Sequence, residues 1–145
     1  MNIIDPLAKV MGDWSVSISI GSIFLRLFLS LILSAILGCE RASKRHSAGL
    51  RTFIVVSVAS TIAGAIDMFL IESCGVKFAF LSAASIIALA ILSNNAVLFS
   101  SRSQIKGLTT SVSLWACGII GLAIGVGFYT VALISFVVLL CCLSL

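Results

Sequence analysis

The chain has 145 residues, 61% of them hydrophobic and 10% charged, with a mean hydropathy of +1.28. Nine Lys and Arg against five Asp and Glu give a net charge of +4, too few charges to cover a water-facing surface, which excludes a soluble domain of ordinary composition. The basic residues lie in short segments between apolar runs, as topology signals do, which argues against nucleic acid as a partner.

About 20 apolar residues cross the hydrocarbon core of a bilayer. Runs of that order predict an all-α integral membrane protein, a compact bundle of five transmembrane helices at about 18–38, 53–71, 78–99, 108–126 and 128–144. The last two share the uncharged stretch from Gly107 to Leu145, where Gly-Val-Gly-Phe at 125–128 offers the break. The end of the first run, Ala35 to Cys39, loosely resembles a lipoprotein signal. Asp5 and Asp13 precede that run and Arg41, Lys44 and Arg45 follow it, the reverse of a signal peptide, so it is expected to stay as a span. With the chain ending at Leu145, one membrane domain and no soluble domain after it are expected.

Arg41, Lys44, Arg45 and Arg51 between spans one and two, with Arg102 and Lys106 between spans three and four, predict two cytoplasmic loops. Only Lys9 and Lys77 are then outside, the N-terminus is outside and the C-terminus is cytoplasmic. Gly49 to Thr52 (Gly-Leu-Arg-Thr) and Gly107 to Thr110 (Gly-Leu-Thr-Thr) each follow basic residues and open a span. They read as matched helix starts, threonine accepting from free amides and glycine easing the turn. Either spans one and two repeat as spans three and four, or the match is coincidence. Arg51 has two readings of equal weight: topology anchor, or holder of lipid phosphate or a partner's acidic residue at a helix N-terminus.

Small residues at four-residue spacing, Ser30, Ser34 and Gly38, then Ala59 and Ala63, then Gly121 and Gly125, permit close helix approach. Packing within one chain is favoured over a dimerisation face. Arg26 and Asp67 are the charges placed well inside the hydrocarbon, at similar depth when counted from the cytoplasmic ends, about 20 Å at 1.5 Å per residue. An Arg26–Asp67 ion pair is predicted, the alternative being that each snorkels separately. Magnesium takes six oxygen ligands; Asp67 is the one intramembrane carboxylate, Asn94 and Asn95 add amide oxygens near the inner end of span three, and Glu40 and Glu72 sit at opposite mouths. Neither metal nor cofactor is expected. The five cysteines lack ligand spacing, and His46, the single histidine, has no catalytic pattern around it, so no catalytic residue is assigned.

Phe24 to Thr52 resembles the first span and cytoplasmic loop of the MgtC/SapB family of bacterial inner-membrane proteins, and Ile105 to Tyr129 resembles that family's fourth span. Glu40 with Arg41, Ala48 to Thr52, Gly107 to Thr110 and Ser113 to Trp115 carry the likeness. In span three the family shows an Asp-Pro-x-Arg opening and a glycine-rich run, where this chain reads Ala-Ile-Leu-Ser-Asn-Asn. The resemblance implies a multi-pass inner-membrane protein linked to low-magnesium adaptation and virulence, acting by contact with another membrane complex, ATP synthase or a transporter among them. The expected partner- or anion-binding surface is Glu40, Arg41, Gly49, Arg51, Thr52, Gly107, Thr109 and Thr110. The rival reading is a small, oligomeric cation transporter using Asp67, Asn94 and Asn95.

Overall fold

A computed structural model describes residues 5–15, 17–44, 49–98 and 104–145. A short helix, α1 (Pro6–Met11), and a 3-10 turn at Asp13–Ser15 precede five longer helices: α2 (Ile20–Ser43), α3 (Leu50–Cys74), α4 (Phe80–Leu98), α5 (Gln104–Val126) and α6 (Tyr129–Ser144). By length and composition α2, α3 and α5 can each cross a membrane, whereas α4 and α6 are shorter apolar helices.

The helix ends follow local chemistry. Ser19 and Ser22 cap α2 reciprocally, each backbone amide donating to the other's hydroxyl at 3.0 and 3.3 Å. Gly75, at φ 65, ends α3 in the left-handed conformation open to glycine. Gly127, at φ +100, turns α5 into α6 within the Gly-Val-Gly-Phe stretch.

Contacts fix the helix directions. Ser30 meets Ser57 and Gly38 meets Leu50, so α2 and α3 are antiparallel. Ser57 lies against Gly121 and Thr61 against Gly125, so α3 and α5 run side by side in parallel. Asp67 reaches the start of α4, while Leu89 further along packs on Gly118, which sets α4 antiparallel to both. The bundle therefore has two ends. One carries Arg26, Asp67, α1 and the starts of α2, α4 and α6; the other carries Arg41, Lys44 and the starts of α3 and α5.

Its surface and interior are inverted relative to a water-soluble protein. Phe24, Phe28, Val55, Ile87 and Ile134 are exposed on the outside, while Ser22, Ser30, Ser34, Ser57, Ser60, Thr61, Thr110, Ser111 and Ser113 are buried beside Leu37, Phe53, Ile124 and Tyr129. An apolar exterior over an interior whose hydroxyls bond to local backbone carbonyls, or between helices at Ser30, Ser57 and Thr61, suits a lipid surround, where polar groups must be satisfied inside.

Candidate functional site

The buried face of α2 repeats polar residues every fourth position, at Ser22, Arg26, Ser30 and Ser34, because one helical face returns nearly every 3.6 residues. On α3 the facing residues are Ser57 and Thr61, while Gly64 packs on Leu122 and Gly125 of α5. The Ser30 and Ser57 hydroxyls are 2.9 Å apart, and Thr61 Oγ1 lies 2.8 Å from Ser30 Oγ, 2.9 Å from the Ser57 carbonyl and 3.0 Å from the Gly121 carbonyl. With one hydrogen to donate, Thr61 is a node shared by three helices. Glycine on α5 makes this approach feasible: a Cβ at Gly121 would collide with the Ser57 carbonyl, and one at Gly125 with the Thr61 carbonyl. Ser34, Gly38, Ala63, Gly121 and Gly125 all face this interior, whereas Ala59 is exposed.

Arg26 and Asp67 lie toward one end of the bundle but do not pair. Arg26, 1% exposed, donates from Nε to the Tyr129 hydroxyl at 3.2 Å, from Nη1 to the Gly125 carbonyl at 2.6 Å and from Nη2 to the Ser15 carbonyl at 3.2 Å. The Tyr129 hydroxyl in turn donates to Ser15 O at 3.0 Å. Asp67, 2% exposed, accepts from the Leu81 amide at 2.9 Å and from the Ser82 amide. The expected ion pair is therefore replaced by two separate ties. Arg26 faces the corner of α5 and α6, while Asp67 faces α4; counting residues gives depth along a helix but not the direction around it. Among the described residues the ion pair observed is Lys44–Glu40, at 2.7 Å.

A second carboxylate holds a helix start in the same way. Asp5 accepts from the Thr130 amide and hydroxyl, at the start of α6, and from the Leu7 amide at 3.3 Å. Burial pushes the Asp5 carboxyl up, but these hydrogen bonds outweigh it and hold the group below its ordinary value of 3.8.

At the opposite end Arg41 is buried and donates from Nη2 to the Thr109 carbonyl at 3.1 Å, while Lys44 donates to the Leu143 carbonyl at 2.7 Å. Arg51 and Thr52 are exposed in the first turn of α3. The matched helix starts differ from expectation. Gly49 itself occupies the cap position of α3, with no side-chain cap, and Thr52 falls inside the helix. Helix α5 begins earlier, at Gln104, because Gln104 to Lys106 are good helix formers, so Gly107, Thr109 and Thr110 lie within it. Thr110 is fully buried. Arg45, His46, Ala48 and Arg102 lie outside the described residues.

Asn94 and Asn95 are exposed near the far end of α4, roughly 20 Å from Asp67 at 1.5 Å per residue. A cavity of about 180 Å³ between α2 and α3 is walled by Ile23, Leu27, Ile62, Ile66 and Phe69, with Arg26 and Thr61 also lining it. A shallower groove between α5 and α6 is lined mainly by apolar side chains, Trp115 and Ile134 among them. Among the described residues no three His, Cys, Asp or Glu side chains converge as metal ligands do.

Sequence reasoning missed Ser15, Tyr129 and the Asp5–Thr130 tie. The serine and arginine stripe at every fourth position of α2 was visible as a polar face; nothing in the sequence pointed from it to Tyr129.

These features define a helical membrane protein whose polar groups are turned inward to bind helix to helix. A profile of the MgtC family matches residues 27–145, and the chain belongs to that family. It is 31% identical over 130 residues to Protein SapB of Bacillus subtilis, covering 81% of this chain and 53% of that protein. It is 27% identical over 111 residues to YhiD of Escherichia coli K12, whose name proposes magnesium transport, covering 72% and 51%. To SrpB of Synechococcus elongatus it is 28% identical over 139 residues, covering 86% and 71%. The chain spans about half the length of the first of these relatives. No solved structure matches it.

Proposed function

We propose that this chain is the membrane part of a non-enzymatic regulator of the inner membrane, which acts in low-magnesium adaptation by contact with another membrane complex. In this reading the five long helices all span, the N-terminus faces outward, and the Arg41 end is cytoplasmic; its arginines and lysines satisfy the positive-inside rule.

The observation that carries the reading is how the interior polar groups are used. Hydroxyls at Ser30, Ser57 and Thr61 bind one another and backbone carbonyls. Arg26 places a fixed positive charge beside them, and the Asp67 carboxylate is taken up by two amides of α4. A cation crossing this interior would pass a guanidinium and find its best carboxylate already engaged. The interior thus serves as scaffold, which leaves the surface, above all the exposed Arg51 end, for contact. Gly121 and Gly125, packed inside, belong to the scaffold.

The test is crosslinked capture from native membranes under magnesium starvation, followed by mass spectrometry, with Arg51→Ala as control. One membrane complex at near-stoichiometric yield, lost in the control, is expected. Recovery of this chain alone contradicts the reading. The rival, cation transport through Asp67, draws on the name of the YhiD relative and predicts saturable ion flux that Asp67→Asn abolishes.

A further inference from the structure

Every residue from Ile71 to Phe80 is exposed, from the last turn of α3 through the linker to the first residue of α4. Phe78 and Phe80 stand out furthest, 79% and 76% exposed, with Ile71 and Val76 beside them. Gly75, in the left-handed conformation, turns the chain back. Asp67 holds the amides of Leu81 and Ser82 while α3 runs on to Cys74, so the linker descends about 10 Å from the top of α3 at 1.5 Å per residue. Among the described residues the amides of Val76, Lys77, Phe78 and Ala79 have no hydrogen bond.

Neither hydrocarbon nor bulk water suits this segment. Unpaired amides are costly in hydrocarbon, and large apolar side chains are driven out of water. The boundary layer of a bilayer, where headgroups and water meet acyl chains, satisfies both.

Depth puts that boundary at the same residues when the long helices span. Thr61 meets Ser30 at 2.8 Å, which sets α2 and α3 level with each other there. Glu40 and Arg41 lie roughly 16 Å from Ser30 toward the opposite end, and a hydrocarbon core of about 30 Å counted from them ends roughly 14 Å beyond Ser30. Gly21 stands at that height on α2, and the stretch of α3 from Asp67 to Cys74 covers roughly 9 to 20 Å. Trp14 packs at this level, since a Cβ on Gly21 would lie 3.7 Å from its ring, and it is 53% exposed. Tryptophan favours the membrane–water boundary. Two separate elements at one height thus carry exposed aromatic side chains, which a continuous lipid layer covers and a single partner protein does not require.

We propose that the segment from Ile71 to Phe80 is an anchor that binds the headgroup–acyl boundary of the leaflet at the Arg26 end. Phe78 and Phe80 enter the upper acyl layer, while Lys77 and the linker amides bond to lipid phosphate, ester oxygens and water. Anchors of this kind set the tilt and depth of a bundle. The proposal rests on the reading that the helices span, and not on the regulatory role.

The test uses the purified full chain in liposomes of phosphatidylcholine brominated either near the headgroup or near the chain end. Phe78→Trp is the reporter, after Trp14→Phe and Trp115→Phe remove the native tryptophans. Phe28→Trp, exposed near the middle of the same core, is the control. Phe78→Trp should lose most of its emission to bromine near the headgroup and little to bromine near the chain end; Phe28→Trp should show the reverse. Water-like emission from Phe78→Trp that neither lipid quenches overturns the anchor and leaves the segment to a partner protein. Quenching as deep as that of Phe28→Trp overturns it too. A Phe28→Trp reporter that neither lipid quenches removes the spanning reading, and the anchor with it.

Discussion

The two ends of the bundle treat charge differently. At the Arg26 end each buried charge is taken up by the backbone of another segment: Arg26 by the Gly125 and Ser15 carbonyls, Asp67 by the first amides of α4, Asp5 by the first amides of α6. Carboxylates sit on helix starts and the guanidinium near the end of α5, each matching the sign of the helix dipole. At the Arg41 end Lys44 caps the end of α6 in the same manner, but α3 starts uncapped, Arg51 is exposed and Arg41 keeps an N–H without a partner. Among the described residues the buried charges at one end are met by backbone groups of their own chain, and the other end keeps an arginine N–H and a helix start without such partners. The lesson is that intramembrane charge need not mark a transport path; it also ties helices that have no caps of their own.

Breaking the closed end should have the largest effect. Arg26→Met leaves the Gly125 carbonyl without its donor, takes one of two donors from the Ser15 carbonyl and removes the N–H that the Tyr129 hydroxyl accepts. A loss of about 3 kcal/mol is expected in detergent unfolding titrations, with Arg26→Lys recovering part of it. A wild-type midpoint in Arg26→Met would show that these ties do not hold the bundle.

The helix seam below should respond next. Gly121→Ala forces a Cβ against the Ser57 carbonyl and should cost about 2 kcal/mol, while Gly49→Ala, which meets nothing within 4 Å, should cost far less. Equal costs at the two positions would remove the close seam between α3 and α5.

Asp67→Asn keeps the shape but not the charge at the start of α4. It should cost about 1 kcal/mol and expose the α4 amides of Leu81 and Ser82 to faster hydrogen exchange. Exchange that stays at the wild-type rate would separate Asp67 from α4.

The smallest effect sharpens the comparison through pH. The Asp5 carboxyl sits below its ordinary value of 3.8 when folded, so its contribution is fully present well above that value and fades as pH falls through the lowered folded value. The stability gap between wild type and Asp5→Asn, at most about 1 kcal/mol, should therefore hold at neutral pH and close on acidification. A gap that widens toward acid would reverse this assignment.

Much of this architecture was legible in the chain. Apolar run lengths located the long helices, Gly-Val-Gly-Phe located the turn at Gly127, and residue counting put Arg26 and Asp67 toward the same end. What could not be read was direction around each helix. Depth follows from a fixed rise per residue, but which neighbour a side chain faces depends on how all five helices are rotated, so the Arg26–Asp67 pair was a reasonable expectation and did not form. The starts of α3 and α5 were misjudged for a local reason: four similar residues sit at the cap of one helix and inside the other, because the residues before them differ in helix preference. The tie from Asp5 to Thr130 joins positions at opposite ends of the sequence and left no local signal.

The most direct test of the central claim, that the interior charges are structural ties and not a conduction path, is ion flux in liposomes holding the purified chain, with and without Asp67→Asn. No saturable magnesium or monovalent-cation movement above empty liposomes is predicted for either protein. Saturable flux in the wild type that Asp67→Asn abolishes, in a variant that remains folded, would contradict it.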